Sequence, residues 1–468
     1  MTRSSNNCFY YTLFCVKIQC NVEFKEVSKL RSLTFKGGAH PYDGKELSMN
    51  CPIEDLKPQG ELVFPLSMHI GAPAEPVVAV GDRVLMGQLI AKKAGFISAN
   101  IHSSVSGTVK KIEPRLVATG GMINSIIIEN DGLYEEAQPL HDKNPDELTR
   151  EEILEIVEAA GIVGMGGAGF PTNVKLSPKE PDKIDSIIVN GAECEPYLTS
   201  DYRRMIEQGD ELVKGLKIVL KIFPDAKGYI GIEDNKPEAI INMVEKTASE
   251  DNIQVKALKT KYPQGGERSL IYAVTGRKIN SKKLPADAGC IVHNVDTIYA
   301  IYRAVYEAKP LTTRIVTVTG DAVANPKNFR VHVGTNMQEL VDAAGGFKVE
   351  PEKIVSGGPM MGFAFFNLNV PVVKGSSSVL AFAKDDVAAN SISPCIRCGR
   401  CASACPQNLL PMKLAEMSQH NDAESFKKYY GMECVECGCC SYVCPAKRQV
   451  TQSVRSMKKK VLASARKN

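Results

Sequence analysis

Between about residues 61 and 130 the apolar positions come in short runs broken by Gly and Pro. Pro76-Val77-Val78-Ala79-Val80 ahead of Gly81-Asp82, then 84–91, Gly107-Thr108-Val109-Lys110-Lys111-Ile112 and Ile126-Ile127-Ile128-Glu129 predict the short strands of an all-β unit. Near Thr149 the period changes. Thr149-Arg150-Glu151-Glu152 reads as a capping box, Ile153, Ile156, Val157 and Ala160 follow at helical spacing, and Gly161 supplies a stop. Strand-like runs at 184–189, 228–232 and 253–258 then alternate with helical stretches at 202–222 and 237–248. That alternation predicts an α/β layer with a largely parallel sheet. From Arg314 to about 358, with a helix over 337–344, the pattern predicts a compact α+β module. The stretches 375–378 and 385–393 read as linkers. The terminal basic residues Lys458, Lys459, Lys460, Arg466 and Lys467 read as a solvated tail.

Composition narrows the classes. A chain of 468 residues is too long for one core. A 44% hydrophobic and 24% charged composition is that of a soluble globular protein, and a net charge of +4 argues against a nucleic-acid partner. No apolar run approaches the roughly 18 residues of a spanning helix. The run 9–20 is short and interrupted by Lys17, so it reads neither as signal peptide nor as anchor. Residues 1–32 share no pattern with the rest, and Cys8, Cys15 and Cys20 have no partner motif. They read as a poorly defined extension or the product of a misplaced start codon.

Nine of the fifteen cysteines lie between 395 and 444, a clustering that points to metal chemistry in a reducing compartment rather than to disulfides. They form Cys395-x-x-Cys398-x-x-Cys401-x-x-x-Cys405-Pro406 and Cys434-x-x-Cys437-x-x-Cys440-x-x-x-Cys444-Pro445. Three cysteines at i, i+3 and i+6 hold one [4Fe–4S] cubane, and the fourth, before Pro, ligates the other cluster in two-cluster ferredoxins. The expected sets are Cys395, Cys398, Cys401 and Cys444 for one cluster, and Cys434, Cys437, Cys440 and Cys405 for the other. A tetrahedral zinc site would leave the third cysteine of each motif unexplained. Cys439 falls between ligands and reads as a free thiol.

The segment "GDRVLMGQLIA" (81–91) followed by "SSVSGTVKKI" (103–112) resembles the half-barrels of biotinyl and lipoyl domains. The linking segment 95–100 carries no Lys, which favours a structural or docking role over a swinging arm. The glycine-rich Gly161-Ile162-Val163-Gly164-Met165-Gly166-Gly167-Ala168-Gly169-Phe170-Pro171-Thr172 has a helix before it, unlike a dinucleotide fingerprint, and alone reads equally well as a structural turn. With Lys175, however, it resembles the GRGGAGFPTGxK flavin loop of the complex I flavin subunit. Val189-Asn190-Gly191-Ala192-Glu193-Cys194-Glu195-Pro196 is similar to that family's VNxDExEP, Tyr262-Pro263-Gln264-Gly265-Gly266-Glu267 to its YxxGEE, and His293-Asn294-Val295-Asp296-Thr297 to its NNVET. Ala192 and Gly266 depart from that pattern, standing where it has Asp and Glu.

The opening FKGGxHP (35–41), Ser356-Gly357-Gly358-Pro359-Met360-Met361-Gly362 and the terminal cysteine motifs complete a resemblance to the RnfC family, from the Rnf (Rsx) ion-translocating electron-transport complexes. The resemblance implies a multi-domain α/β and α+β protein. Its parts are an extension (1–32), an N-terminal β half-barrel or barrel-sandwich hybrid (33–135), and a Rossmann-like FMN/NADH-binding α/β domain (145–310). A β-grasp (SLBB-like) module (311–375), a two-cluster ferredoxin domain (385–450) and a basic tail (451–468) follow.

The same resemblance implies non-covalent FMN, two [4Fe–4S] clusters and NAD(H) as substrate, with no general acid or base required for hydride transfer. Gly164, Gly166, Gly167 and Lys175 would cradle the flavin phosphate and ring, Asn190 and Glu193 would reach its polar groups, and Asn294 would close the phosphate side. Phe170 would stack on the adenine, and Glu267 would hold the nicotinamide ribose. The family implies a peripheral protein at the cytoplasmic face of the cell membrane, working with ferredoxin-like and membrane-spanning subunits and, indirectly, ferredoxin. The alternatives are a soluble NADH dehydrogenase or diaphorase subunit and a cofactor-poor ferredoxin-like scaffold.

Overall fold

Ile187, Ile188 and Val189 are buried, as expected of a strand covered on both faces. The strand Ser186–Gly191 lies inside a four-stranded sheet in the order Ile253–Leu258, Lys227–Glu233, Ser186–Gly191, Cys290–Asn294, all parallel. The computed structural model describes residues 32–465. Residues 1–31, with Cys8, Cys15, Cys20 and the run 9–20, and residues 466–468, with Arg466 and Lys467, lie outside the described residues.

The helix Arg150–Ala159 begins at the expected capping box: Glu152 N donates to Thr149 Oγ1 at 3.3 Å and Thr149 N to Glu152 Oε2 at 2.8 Å. It ends at Gly161, whose φ of +65° suits glycine. The stretch expected as one helix over 202–222 is two, Ser200–Glu207 and Gly209–Ile222, broken at Gln208. A Cβ at Gly209 would stand 2.9 Å from Asn242 Nδ2, so the helix Pro237–Lys246 packs directly on the break.

The half-barrel has one sheet ordered Glu61–Pro65, Met122–Asn130, Gly107–Leu116, Arg83–Val84 and another of Glu75–Pro76, Leu89–Lys92, Ile101–His102. Leu62, Phe64, Ile90, Ile101, Ile126 and Ile128 fill it. Of the run 76–80 only Pro76 pairs. The unit is docked on the α/β layer: Lys93 Nζ meets Glu158 Oε1 at 2.5 Å, and Asn100 Nδ2 donates to Glu158 O at 3.3 Å.

The next module is a six-stranded sheet, Ile53–Leu56, Lys327–His332, Thr313–Thr319, Ser378–Phe382, Lys353–Ser356, Phe363–Phe365. Two features depart from the expected boundaries. The sheet runs past residue 375: Ser378–Phe382 is one of its central strands, buried from Ser378 to Ala381, and 375–377 is only the turn before it. Its outer strand, Ile53–Leu56, comes from the N-terminal stretch and pairs with a partner about 275 residues away (Ile53↔Asn328).

The cysteine region packs the helices Pro411–Gln419, Ala423–Lys428 and Val450–Ala465 around Leu414, Phe426, Val454, Met457 and Val461. The expected basic tail is therefore a helix as far as residue 465, packed through Val461. Its apolar positions, four and three residues apart, face the core while Lys459 and Lys460 alternate outward. Among the described residues no helix is long and apolar enough to cross a membrane.

Candidate functional site

The glycine-rich loop folds back on itself. Gly164 N donates to Phe170 O at 2.8 Å, Thr172 N to Ile162 O at 3.0 Å, and the short helix Thr172–Lys175 follows. Met165 N donates to Thr297 Oγ1 at 3.0 Å, anchoring the loop to the helix Val295–Tyr306, and leaves Gly166, Gly167 and Ala168 exposed. A Cβ at Gly166 would lie 3.0 Å from Asn294 Nδ2. Asn294 caps the Val295–Tyr306 helix through Oδ1, accepting from Asp296 N at 2.9 Å, and its Nδ2 donates to Asp201 Oδ2 at 2.7 Å. Asn190, near the C-terminal end of its strand, donates to Gly265 O at 2.9 Å. Lys175 Nζ meets Glu267 Oε1 at 2.9 Å, so the loop is tied to the start of the helix Glu267–Thr275.

The structure thus gathers Gly164, Gly166, Gly167, half-buried Phe170, Lys175, Asn190, Glu267 and Asn294 beside the carboxyl ends of parallel strands, where open α/β sheets bind ligands. Glu193 behaves differently. At φ +46° it is buried, and its carboxylate accepts from Asp201 N at 2.7 Å and Tyr202 N at 3.3 Å, with Lys45 Nζ 3.9 Å away. It holds the first turn of Ser200–Glu207 instead of facing the mouth of the site.

Buried charge surrounds this end of the layer. Burial, with the charges of Glu193 and Asp296, pushes the Asp201 carboxyl well above its ordinary range. Asp296 moves the other way because Arg204 and Arg314 flank it. Burial lowers Lys45, and burial with the Lys175 charge holds His293 well below its usual value, hence neutral. Lys45, Asp201 and Lys236, whose Nζ donates to Ala192 O at 2.7 Å, have no motif of their own. Lys45 and Asp201 take partners far off in sequence, and Lys236 adds Ala192 to its near neighbours Glu233 and Asn235, so no local spacing marks them.

Several buried polar atoms here find no protein partner: both amide atoms of Gln264, Thr172 Oγ1 and His293 Nε2. Buried polar groups are normally paired. Orphans beside an exposed glycine turn, a lysine and a helix N-terminus fit a polar nucleotide such as a flavin mononucleotide.

In the cysteine module Cys405 lines one cleft together with Cys434, Cys437 and Cys440. The fourth cysteine of the first motif thus sits with the first three of the second. Leu409 N approaches Cys405 Sγ at 3.4 Å and Glu436 N approaches Cys434 Sγ at 3.3 Å, amide-to-sulfur contacts of the kind that tune iron–sulfur sites. Burial pushes Cys434 up to about 11 and Cys440 up to about 12, a protonation that metal binding reverses. Among the described residues no three Cys, His, Asp or Glu side chains converge as one bare ion would require.

The first set is more open, with Cys395 and Cys398 exposed and Cys401 and Cys444 half-buried. Its backbone repeats that of the second. Arg397 and Gly399 are left-handed at φ +55° and +76°, as are Glu436 and Gly438 at +56° and +85°. Asn408 and Lys447, each three residues past the fourth cysteine, match at +54° and +53°.

The second set faces the α/β layer. Gly38 N donates to Ala404 O at 2.9 Å while Ala39 and Tyr262 exchange backbone hydrogen bonds at 2.8 Å. The buried Cys439 thiol donates to Tyr262 O at 3.5 Å. Gly438 lies against Met360, whose N donates to Glu195 Oε2 at 3.0 Å; burial lifts Glu195 to about 7. The FKGG and GGPMMG motifs are thus parts of one joint.

Four family models match successive parts of the chain: an RnfC barrel sandwich hybrid domain (33–133), a Nuo51 FMN-binding domain (157–303), an SLBB domain (315–364) and a 4Fe-4S dicluster domain (394–447). The C subunit of a proton-translocating ferredoxin:NAD(+) oxidoreductase complex of Clostridium ljungdahlii is 48% identical over 427 residues, covering 91% of this chain and 93% of its own. The Na(+)-translocating counterpart of Acetobacterium woodii is 43% identical, covering 93% and 98%. The C subunit of an ion-translocating oxidoreductase complex of Rhodobacter capsulatus is 41% identical, covering 85% and 78%.

Proposed function

This chain belongs to the RnfC family, the C subunits of ion-translocating ferredoxin:NAD(+) oxidoreductase complexes, and from that premise we propose which of its residues carry electrons between NAD(H) and the rest of such a complex. The chain is an oxidoreductase subunit with a flavin-binding domain and a 4Fe-4S dicluster domain. FMN bound to it would supply hydride exchange with nicotinamide and single-electron exchange with iron–sulfur clusters.

Gly164, Gly166 and Gly167 let the backbone approach the flavin phosphate without a Cβ in the way, and Lys175 supplies the counter-charge. Asn190 and Asn294, each oriented by a second hydrogen bond, present polar edges to the ring and phosphate. Glu193, turned inward, is a positioning residue: through Asp201 it fixes Asn294. Phe170 stacks on the adenine, and Glu267 binds the nicotinamide ribose once Lys175 shares its charge with the ligand.

Crossed ligand sets would hold two four-iron clusters, Cys405 with Cys434, Cys437 and Cys440, and Cys444 with Cys395, Cys398 and Cys401. Because the two motifs share one backbone turn, what Cys405 does for the second set Cys444 does for the first. The protein sits peripherally at the cytoplasmic face of the membrane, against membrane-spanning and ferredoxin-like subunits.

The observation that carries this reading is the joint that brings the Cys405–Cys434–Cys437–Cys440 cleft onto the domain bearing the glycine loop. Anaerobic mixing of the isolated chain with NADH tests it. Bleaching of flavin absorbance followed by cluster absorbance is expected, and no reduction of either by NADH would refute it.

A further inference from the structure

Residues 386–398, which lead into the first cysteine motif, are exposed throughout, so the connection does not fix where the cysteine module sits. Its apolar contact with the α/β layer is small, centred on Ala39, Tyr262, Ala404, Cys437 and Cys439, and apolar packing is non-directional. Direction comes from polar contacts. Glu433, the residue before Cys434, accepts from Ser281 N at 2.7 Å, Ser281 Oγ at 2.5 Å and Arg268 Nη1 at 3.1 Å. The same Arg268 Nη1 donates to Gln407 Oε1 at 3.3 Å, two residues past Cys405. One guanidinium therefore grips both chain segments that supply the second cysteine set. Arg268 directly follows Glu267, whose carboxylate holds Lys175 at the mouth of the nucleotide site.

We propose that Arg268 and Glu433 are positioning residues whose ion pair, with Ser281, fixes the second cysteine set against the flavin-type domain and so sets the rate of electron passage between them. An exposed ion pair contributes little. This one is about three-quarters buried on each side and shares its carboxylate with two further donors, which makes it directional. The proposal rests on the cofactor reading above.

The test uses the holoprotein under anaerobic conditions, with Arg268→Glu, Glu433→Arg and the double variant. Flavin and iron contents and NADH-driven ferricyanide reduction at the flavin should stay at wild-type levels, since the polar contacts of both side chains are with each other, Gln407 and Ser281 and not with a cysteine ligand or a flavin-site residue. NADH-driven bleaching of cluster absorbance should slow by about tenfold in each single variant, a loss typical of a coupled charge pair, and the double variant should be faster than either single. Hydrogen exchange at 35–41 and 404–408 should quicken in the singles and slow again in the double. Wild-type bleaching in both singles, or a double variant no faster than the singles, would overturn the proposal. A wild-type protein without flavin or iron would refute the cofactor reading instead. Exchange then still tests the joint on its own, and singles that exchange no faster than wild type overturn it.

Discussion

A Cβ at position 166 would press on the Asn294 side chain at 3.0 to 3.1 Å, and Asn294 cannot yield without leaving Asp201 and its helix cap. Gly166→Val should therefore abolish flavin retention through gel filtration while leaving iron content unchanged. Glu267→Gln should act on the substrate alone. Flavin stays bound and the KM for NADH rises roughly tenfold, the cost of about one charged hydrogen bond, read by ferricyanide reduction. Lys374 gives a pH-dependent prediction. Its buried Nζ donates to Gly161 O at 2.7 Å and to Asn100 O, and burial lowers its pKa from 10.5 to about 7. Between those values the unfolded chain holds a proton that the folded one lacks, so stability rises with pH across the window, by at most about 1.4 kcal/mol per pH unit. Denaturant titrations at pH 7 and 9 should show this slope reduced in Lys374→Met; an unchanged slope would mean that Lys374 is charged in the fold. Residues of this kind were hidden in the sequence. Lys45, Asp201, Arg268 and Glu433 take their meaning from partners that local spacing cannot register, whereas the glycine loop, Asn190 and Asn294 sit inside contiguous motifs.

At the scale of elements, the two cysteine motifs are one backbone turn used twice, and in the proposed assignment each lends its last cysteine across. Cys405→Ala should damage the cluster on Cys434, Cys437 and Cys440 and spare the other. Paramagnetic resonance of the reduced variant showing loss of the Cys395–Cys398–Cys401 cluster would reverse the assignment. The last helix belongs to the same element. Val454, Met457 and Val461 are buried, and Lys458 Nζ donates to Cys434 O at 2.6 Å. Ending the chain after residue 449 removes about 1.5–3 kcal/mol of burial for each of those side chains, so iron should be lost first from the second set on dilution into chelator. The sequence announced a charged tail here because the run Lys458-Lys459-Lys460 stands out, while the apolar positions at 454, 457 and 461 span too few turns to mark a core face. The strand Ser378–Phe382 was hidden for a similar reason: its preceding Gly375 and serines read as a linker, and its pairing with Thr313–Thr319 is long-range. The helix Arg150–Ala159 and the parallel strands were legible because capping and apolar runs are local. The break at Gln208 was not, because it answers to a neighbouring helix.

For the whole molecule, a half-barrel, a parallel α/β layer, a six-stranded module and a cysteine module are held by joints built from motifs that do no chemistry themselves. Lys374 and Asn100 fasten the half-barrel to the layer, and the FKGG turn, Tyr262 and Met360 fasten the cysteine module to it. The arrangement is the one required by the proposal that the layer and the cysteine module each carry a redox group and exchange electrons within one chain. The most direct measurement is the cofactor content of anaerobically purified protein. One extractable FMN is expected with about eight iron and eight acid-labile sulfide per chain, two four-iron cubanes' worth. Zinc without labile sulfide, about four iron, or no flavin at all would contradict it.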